Sequence, residues 1–226
     1  MATNSNVFDL RGVDCSLKYP DFKHAMRLCE GGFGSVHKFK SMKRTFPSFG
    51  QSNSDVACKF FGYIKDGNTG RPAETPDIKF IKKEIEFMRD LKEFKCVAQL
   101  YGVIKDTGNG YLPDKNPRHL VSYPIIVMEL INGGDLIDKI QYIGGKLSEK
   151  DLSCMFKGIC DALANIHKKN CVHCDLKLEN VMLHSYGNVP DVVKIVDFGC
   201  MERMNNFAQF QSPKLFGEPD IFRYRS

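Results

Sequence analysis

The octapeptide His173-Cys174-Asp175-Leu176-Lys177-Leu178-Glu179-Asn180, followed further on by Asp197-Phe198-Gly199, holds the residue types that a phosphoryl-transfer site needs. Asp175 can accept a hydroxyl proton. Lys177, two positions on, can neutralise a phosphate, and Asn180 can ligate a metal through its amide oxygen. Asp197 brings a second carboxylate at the end of an apolar run. A reaction governed by positioning and charge neutralisation asks for this set of groups and little else.

Such groups must be held by strands and helices. Residues 1–23 are polar with scattered apolar positions and read as an N-terminal arm. From Met26 to Lys40 the pattern is strand, glycine turn, strand, with Glu30-Gly31-Gly32-Phe33-Gly34-Ser35 at the tip. Ser41 to Ser54 is polar with Pro47 and Gly50, and reads as a loop insertion before the apolar strand Val56-Ala57-Cys58-Lys59-Phe60-Phe61. Thr75-Pro76-Asp77 predicts a helix start, and Ile81, Ile85 and Met88 give that helix one apolar face. Val97–Val103 and Tyr123–Met128 read as neighbouring strands joined by a long connection, and Asn132-Gly133-Gly134-Asp135 as a hinge. Beyond it, Ser148 and Asp151 form a capping-box-like start. Leu152, Met155, Phe156, Ile159, Leu163 and Ile166 then recur at helical steps.

This order of motifs resembles the eukaryotic protein kinase family of Ser/Thr type, from about Met26 to the last residue. The resemblance implies an α+β, bilobal fold: a β-rich N-lobe with one αC helix over 24–130, and an incomplete helical C-lobe over 131–226 that carries the catalytic loop and activation segment. Leu28-Cys29-Glu30-Gly31-Gly32-Phe33-Gly34-Ser35-Val36 is similar to the GxGxxGxV loop, with Cys29 at the first glycine position. Small residues there let backbone amides approach phosphates. Val56-Ala57-Cys58-Lys59 resembles the VAIK strand, which makes Lys59 the phosphate-pairing lysine. Glu84 is the resemblance's choice of partner for Lys59, with Glu86 the competitor. Glu84 is favoured because Met88, one turn on, shares the inward face with Ile81 and Ile85. Met128-Glu129-Leu130-Ile131 resembles the segment whose backbone meets the adenine edge, and Asp135 sits where a ribose or substrate contact is often found.

The same resemblance assigns nucleotide contacts to Gly31, Gly32, Phe33, Gly34, Val36, Ala57, Lys59, Met128, Glu129, Ile131, Asp135 and Met182. It makes Asp175 the base or hydroxyl-orienting group, Lys177 a γ-phosphate contact, and Asn180 and Asp197 the Mg2+ ligands. His173 and Phe198 are expected to pack between αC and the catalytic loop, in an apolar column with Met88 and Leu100. ATP and Mg2+ are the implied cofactors, and a protein Ser/Thr hydroxyl the implied acceptor. Asp135 and Glu179 suggest a basic context around that acceptor.

Two departures matter. Cys174 replaces the usual Arg, whose cation receives a phosphate on the activation loop, so a phosphate there has less to grip and control by loop phosphorylation is less expected. Consistently, Cys200–Arg225 holds Ser212 and Tyr224 but no Thr. The chain also stops at Ser226, where Gly217-Glu218-Pro219 and Tyr224-Arg225-Ser226 lead towards an APE motif without reaching it. The stripe Leu152, Met155, Phe156, Ile159 is therefore expected to lack a packing partner. The alternative to an enzyme is a kinase-like module that binds ATP or a kinase partner as decoy, scaffold or regulator; a gene model that stops short is a third reading.

Bulk composition agrees with a globular protein. Hydrophobic residues make up 42% and charged residues 26% of 226 positions. Lys plus Arg exceed Asp plus Glu by 32 − 27 = 5, without a long basic run, which argues against a nucleic-acid partner. No segment approaches the roughly 18 apolar residues of a spanning helix, and the start carries neither a secretory leader nor a lipidation signal. A cytoplasmic or otherwise intracellular soluble protein without membrane partners is expected. Nine Cys, an odd number set in apolar segments, suit reduced thiols. Cys171-Val172-His173-Cys174 is a lone CxxC, weak as a zinc site, and its His precedes the second Cys, unlike a haem attachment.

Overall fold

The computed structural model describes residues 10–31, 34–48, 51–61, 78–105, 124–142, 144, 147–186 and 189–204. Alternation sets the first sheet. In Gly34–Ser41, residues Ser35, His37, Phe39 and Ser41 are buried, and those between them face the other way. This strand, β2, pairs with β1 (Phe22–Gly31) in an antiparallel hairpin closed by Gly31 opposite Gly34. Two irregularities in the register, at His24/Met26 and Arg27/Cys29, bend β1.

The insertion expected as a loop folds differently. Phe46–Ser48 (β3) and Gln51–Asn53 (β4) form a small antiparallel hairpin. Phe46 explains it: its ring stacks on Tyr101 at 4.7 Å and on Phe22 at 6.3 Å, and the Tyr101 hydroxyl donates to the Pro47 carbonyl at 2.8 Å. One buried aromatic, worth roughly 1.5–3 kcal/mol, anchors an otherwise polar segment.

The sheet continues through β5 (Asp55–Phe60), and later through β6 (Leu100–Ile104) and β7 (Ile125–Glu129), in the order β1-β2-β5-β7-β6. β6 begins three residues after Val97, because Val97 instead bridges Ile195. One sheet face carries Phe39, Phe60, Val56 and Cys58, closed over by Leu17, Tyr19, Phe22 and Phe46. The described part of the expected arm, residues 10–21, is therefore part of the packing, and β1 starts at Phe22.

The other face receives α1 (Ile78–Asp90), through Ile81, Ile85 and Met88 as its periodicity requires. The proposed cap at Thr75-Pro76-Asp77 lies outside the described residues. This second core runs on without a break through Val97, Ile195 and Phe198 to Leu183, Ala162 and Ile166 in the helical half.

That half begins with α2 (Leu136–Tyr142) and α3 (Glu149–Lys168). Ser148 caps α3 by accepting from the Asp151 amide at 3.1 Å, as the capping signal predicts. Gly158 sits mid-helix at a cost of about 1 kcal/mol against Ala. A Cβ there would lie 2.8 Å from Val193 Cγ2, so glycine is what lets the next hairpin close on α3. That hairpin is β9 (Val181–Tyr186) with β10 (Val189–Ile195). Two short strands, β8 (Cys171–Val172) and β11 (Glu202–Arg203), pair antiparallel beside it. Leu152 and Phe156 on α3 are exposed, while Met155 and Ile159 are half-buried. Among the described residues no helix is long and apolar enough to cross a membrane.

Candidate active site

Three elements converge on one ammonium group. Lys59 on β5 bonds both oxygens of Glu84, at 2.7 and 2.8 Å, and Oδ1 of Asp197 at 3.0 Å. Glu84 projects from α1 and is 3% exposed. Burial opposes the Lys59 charge, but Glu84 and then Asp197 outweigh it and hold its pKa above the usual lysine range. Burial likewise opposes the Asp197 charge, yet Lys59 holds that carboxyl below its usual range. Desolvation pushes Glu84 upward against the pull of the same ammonium. Glu86, the competing partner, has no such contact with Lys59, and the α1 face chosen by Ile81, Ile85 and Met88 explains why.

A second group lies on the catalytic loop. Asp175 Oδ2 accepts from Lys177 Nζ at 2.9 Å and from Asn180 Nδ2 at 3.1 Å, while the Asp175 carbonyl accepts from the same Nδ2 at 2.8 Å. The bond to Asp175 raises the pKa of Lys177. The two groups are joined by His173, which is 2% exposed. Its Nε2 donates to the Val196 carbonyl at 2.9 Å, and its Nδ1 accepts from the Asp175 amide at 3.3 Å. One imidazole thus spans the residue before Asp197 and the backbone of Asp175. Burial lowers its pKa, which favours the neutral ring that this donor and acceptor pattern needs. Its ring meets Phe198 edge to face at 5.8 Å. Phe198 and Met88 belong to the core shared by the two halves, Leu100 packs against it, and His173 is buried against Phe198.

Backbone geometry sharpens both turns. Cys174 and Asp197 take left-handed φ values of 63° and 62°, which cost non-glycine residues about 1–3 kcal/mol and persist only where the surroundings impose them. Gly34 has φ +147° and lies so close to β5 that a Cβ would fall 1.9 Å from the Phe60 carbonyl oxygen.

The expected nucleotide contacts fall mainly on one sheet face. Val36 is opposite Lys59 in the β2–β5 pairing, and Ala57 is opposite Met128 in the β5–β7 pairing. Cys29 pairs with Val36. Asp135 bridges Met182, and the chain after Ile131 is stitched to β9 by Gly133 N–H to the Leu183 carbonyl at 2.8 Å and Leu183 N–H to the Gly134 carbonyl at 2.9 Å. Asp135 also caps α2 by accepting from the Asp138 amide at 2.8 Å. Glu129 is turned inward and its side chain is buried. Gly32 and Phe33 lie outside the described residues, as do the proposed activation-segment and APE-like residues beyond Met204.

A family model described as the protein kinase domain matches residues 22–219. The chain belongs to that family. CDPK-related kinase 1 of Arabidopsis thaliana is 35% identical over 137 residues, which cover 58% of this chain and 21% of the relative. CDPK-related kinase 5 of the same plant is 28% identical over 202 residues, covering 79% and 31%. Calcium/calmodulin-dependent serine/threonine-protein kinase 1 of Oryza sativa subsp. japonica is 32% identical over 137 residues, covering 58% and 20%. The chain spans about a fifth to a third of the length of these curated relatives.

Within the kinase domain, sequence reasoning missed one buried pair. Lys194 Nζ bonds Glu129 Oε2 at 2.6 Å and the Lys95 carbonyl at 2.9 Å, with both charged side chains 1% exposed. The signal was a lone lysine in the apolar run Val192-Val193-Lys194-Ile195-Val196. The pair locks the end of β7 to β10, the strand that delivers Asp197. Two more ion pairs were missed, Lys83 with Glu202 and Asp90 with Arg203; they fasten α1 to β11.

Proposed function

We propose that this kinase domain transfers the γ-phosphoryl of ATP, with Mg2+, to Ser or Thr hydroxyls of protein substrates. The observation that carries the reading is the convergence of Glu84 and Asp197 on the Lys59 ammonium, with His173 linking the residue before Asp197 to the backbone of Asp175. Asn180 and Asp197 suit a hard divalent cation, since Asn180 spends its Nδ2 on Asp175 and keeps an amide oxygen, and Lys59 takes only one of the Asp197 oxygens. When bound, Mg2+ supplies charge neutralisation at the phosphates. Lys59, oriented by Glu84, pairs with phosphate oxygens. Asp175 accepts the hydrogen bond of the acceptor hydroxyl and aims it, and Lys177 beside it neutralises charge developing on the transferred group. Val36, Ala57, Met128, Ile131 and Met182 enclose the base.

Asp175→Asn tests the assignment. Transfer of labelled γ-phosphate to protein should fall at least about 100-fold, with Mg·ATP affinity by calorimetry nearly unchanged. Unchanged turnover would contradict it. Peptide arrays probe the acceptor: exposed Glu179, with Asp135, suits basic side chains near the phosphosite, and an acidic or proline-directed preference would remove that part. A second reading, a binding module of the same fold, is favoured by the exposed Leu152 and Phe156 on α3. Wild-type chain that binds Mg·ATP or a kinase partner yet transfers no phosphate would select it.

A further inference from the structure

The β8–β11 ladder brings two thiols towards each other at the margin of the site. Glu202 pairs with Val172 and Arg203 with Cys171. The ladder ends at that first pair; Cys174 and Gly199-Cys200 are turn residues just past its cleft end, Cys174 two positions beyond Val172 and Cys200 two positions before Glu202. The two thiols lie close enough for Cys200 to act electrostatically on Cys174, and a disulfide asks for Cα atoms roughly 4.4–6.8 Å apart. A second line of geometry agrees. The Cys174 sulfur lies 3.4 Å from the Val172 carbonyl and within reach of the Glu202 backbone N–H, so it leans across the ladder towards the strand that Cys200 leads into. The Met201 N–H donates to the Phe198 carbonyl at 3.1 Å, and this turn, with Cys200 in it, leads directly into β11. Both cysteines are free thiols; Cys174 is exposed and Cys200 partly so.

We propose that Cys174 and Cys200 are a modification site, a thiol pair that closes into a reversible disulfide between the catalytic loop and the segment following Asp197-Phe198-Gly199. The ring of chain so closed contains Asp175, Asn180 and Asp197. The bond therefore fixes the separation of the two turns that carry the proposed chemistry.

With a peroxide as oxidant, the step balances. The exposed Cys174 sulfur attacks one peroxide oxygen, the O–O bond breaks, and hydroxide leaves and takes up the thiol proton as water, which gives a sulfenic acid. The Cys200 sulfur then attacks the sulfenic sulfur. The S–S bond forms, the S–O bond breaks, and the second thiol's proton leaves with that oxygen as a second water. Two thiols are oxidised and one peroxide is reduced to two waters. A dithiol reverses the bond by exchange.

The test reads the bond itself and needs no catalytic activity, so its failure is separable from failure of the kinase reading. The reduced chain is treated with hydrogen peroxide, blocked with N-ethylmaleimide, digested, and mapped by mass spectrometry without reduction. The expected result is loss of alkylation at Cys174 and Cys200 in the same molecules, with their two peptides joined and released by dithiothreitol. Cys29, Cys154 and Cys160, which are also exposed, serve as internal controls and stay singly alkylated. C174S and C200S should each abolish the joined peptide, and C154S should leave it in place. Separate alkylation of both thiols in peroxide-treated wild-type chain, or their joining to other cysteines instead, overturns the proposal.

Discussion

Two turns at the cleft hold left-handed backbone angles without glycine, Cys174 and Asp197, and a single imidazole braces both. His173 was legible as a packing residue, and it is buried. Its second task, hydrogen-bonding one turn through each ring nitrogen, was not legible, because it depends on Val196 lying alongside a loop more than twenty residues away in sequence. The acidic, amide and lysine residues of the site could be read directly because their spacing within the octapeptide is local. Glu84 could be preferred over Glu86 because helical periodicity fixes which side of α1 faces the sheet. The glycine loop shows the same logic at Gly34. Both its φ and the 1.9 Å that would separate a Cβ from the Phe60 carbonyl oxygen forbid a side chain. Gly34→Ala is expected to lose about 1–3 kcal/mol of stability in urea unfolding and to weaken nucleotide binding, because the β1–β2 hairpin must move off β5. An unchanged unfolding midpoint would show that the hairpin yields freely.

At the level of elements, short-range patterns carried most of the outline: α1 from its apolar face, α3 from Ser148 and its repeat, β5 from a run of apolar residues. The β3–β4 hairpin escaped because its stability comes from Phe46 meeting Phe22 and Tyr101, partners far apart along the chain. The Lys194–Glu129 pair escaped for the same reason. Its energetics are testable in a cycle. Lys194→Met alone strands the Glu129 carboxylate in the core and is expected to cost about 3–5 kcal/mol. Lys194→Met with Glu129→Leu removes both charges and is expected to recover most of that loss. The readout is the free energy of denaturant unfolding for all four proteins. A double variant no more stable than the single would mean that the pair's hydrogen bonds to the neighbouring backbone, and not its charges, set the cost.

For the whole molecule, one apolar core runs from α1 through Phe198 to α3, so the halves should unfold together and share a pH dependence. His173 is held below the ordinary imidazole value by burial, and so is His184. A depressed folded pKa adds stability that is present above about pH 6.5 and is lost as the pH falls through the folded value. The thermal midpoint followed by circular dichroism should therefore drop as pH is lowered below about 6.5. His173→Asn should flatten that slope without abolishing it, since His184 remains. An identical slope in the variant would place the titration elsewhere. Asp197 acts in the same direction at lower pH, because its carboxyl sits below the usual carboxylate range. Lys59 acts oppositely: its share is full below the ordinary lysine value and is lost as the pH rises from there through the raised folded value.

The fastening of α1 to β11 by Lys83 with Glu202 and Asp90 with Arg203 has its own reach. The helix that presents Glu84 cannot swing without dragging the strand beyond Asp197-Phe198-Gly199, and both fasteners are partly exposed charges that dissolved ions weaken over a Debye length of about 8–10 Å. Raising the ionic strength is therefore expected to loosen the hold on the helix that grips Lys59, an effect set by the solution around the protein and requiring no covalent change in the chain.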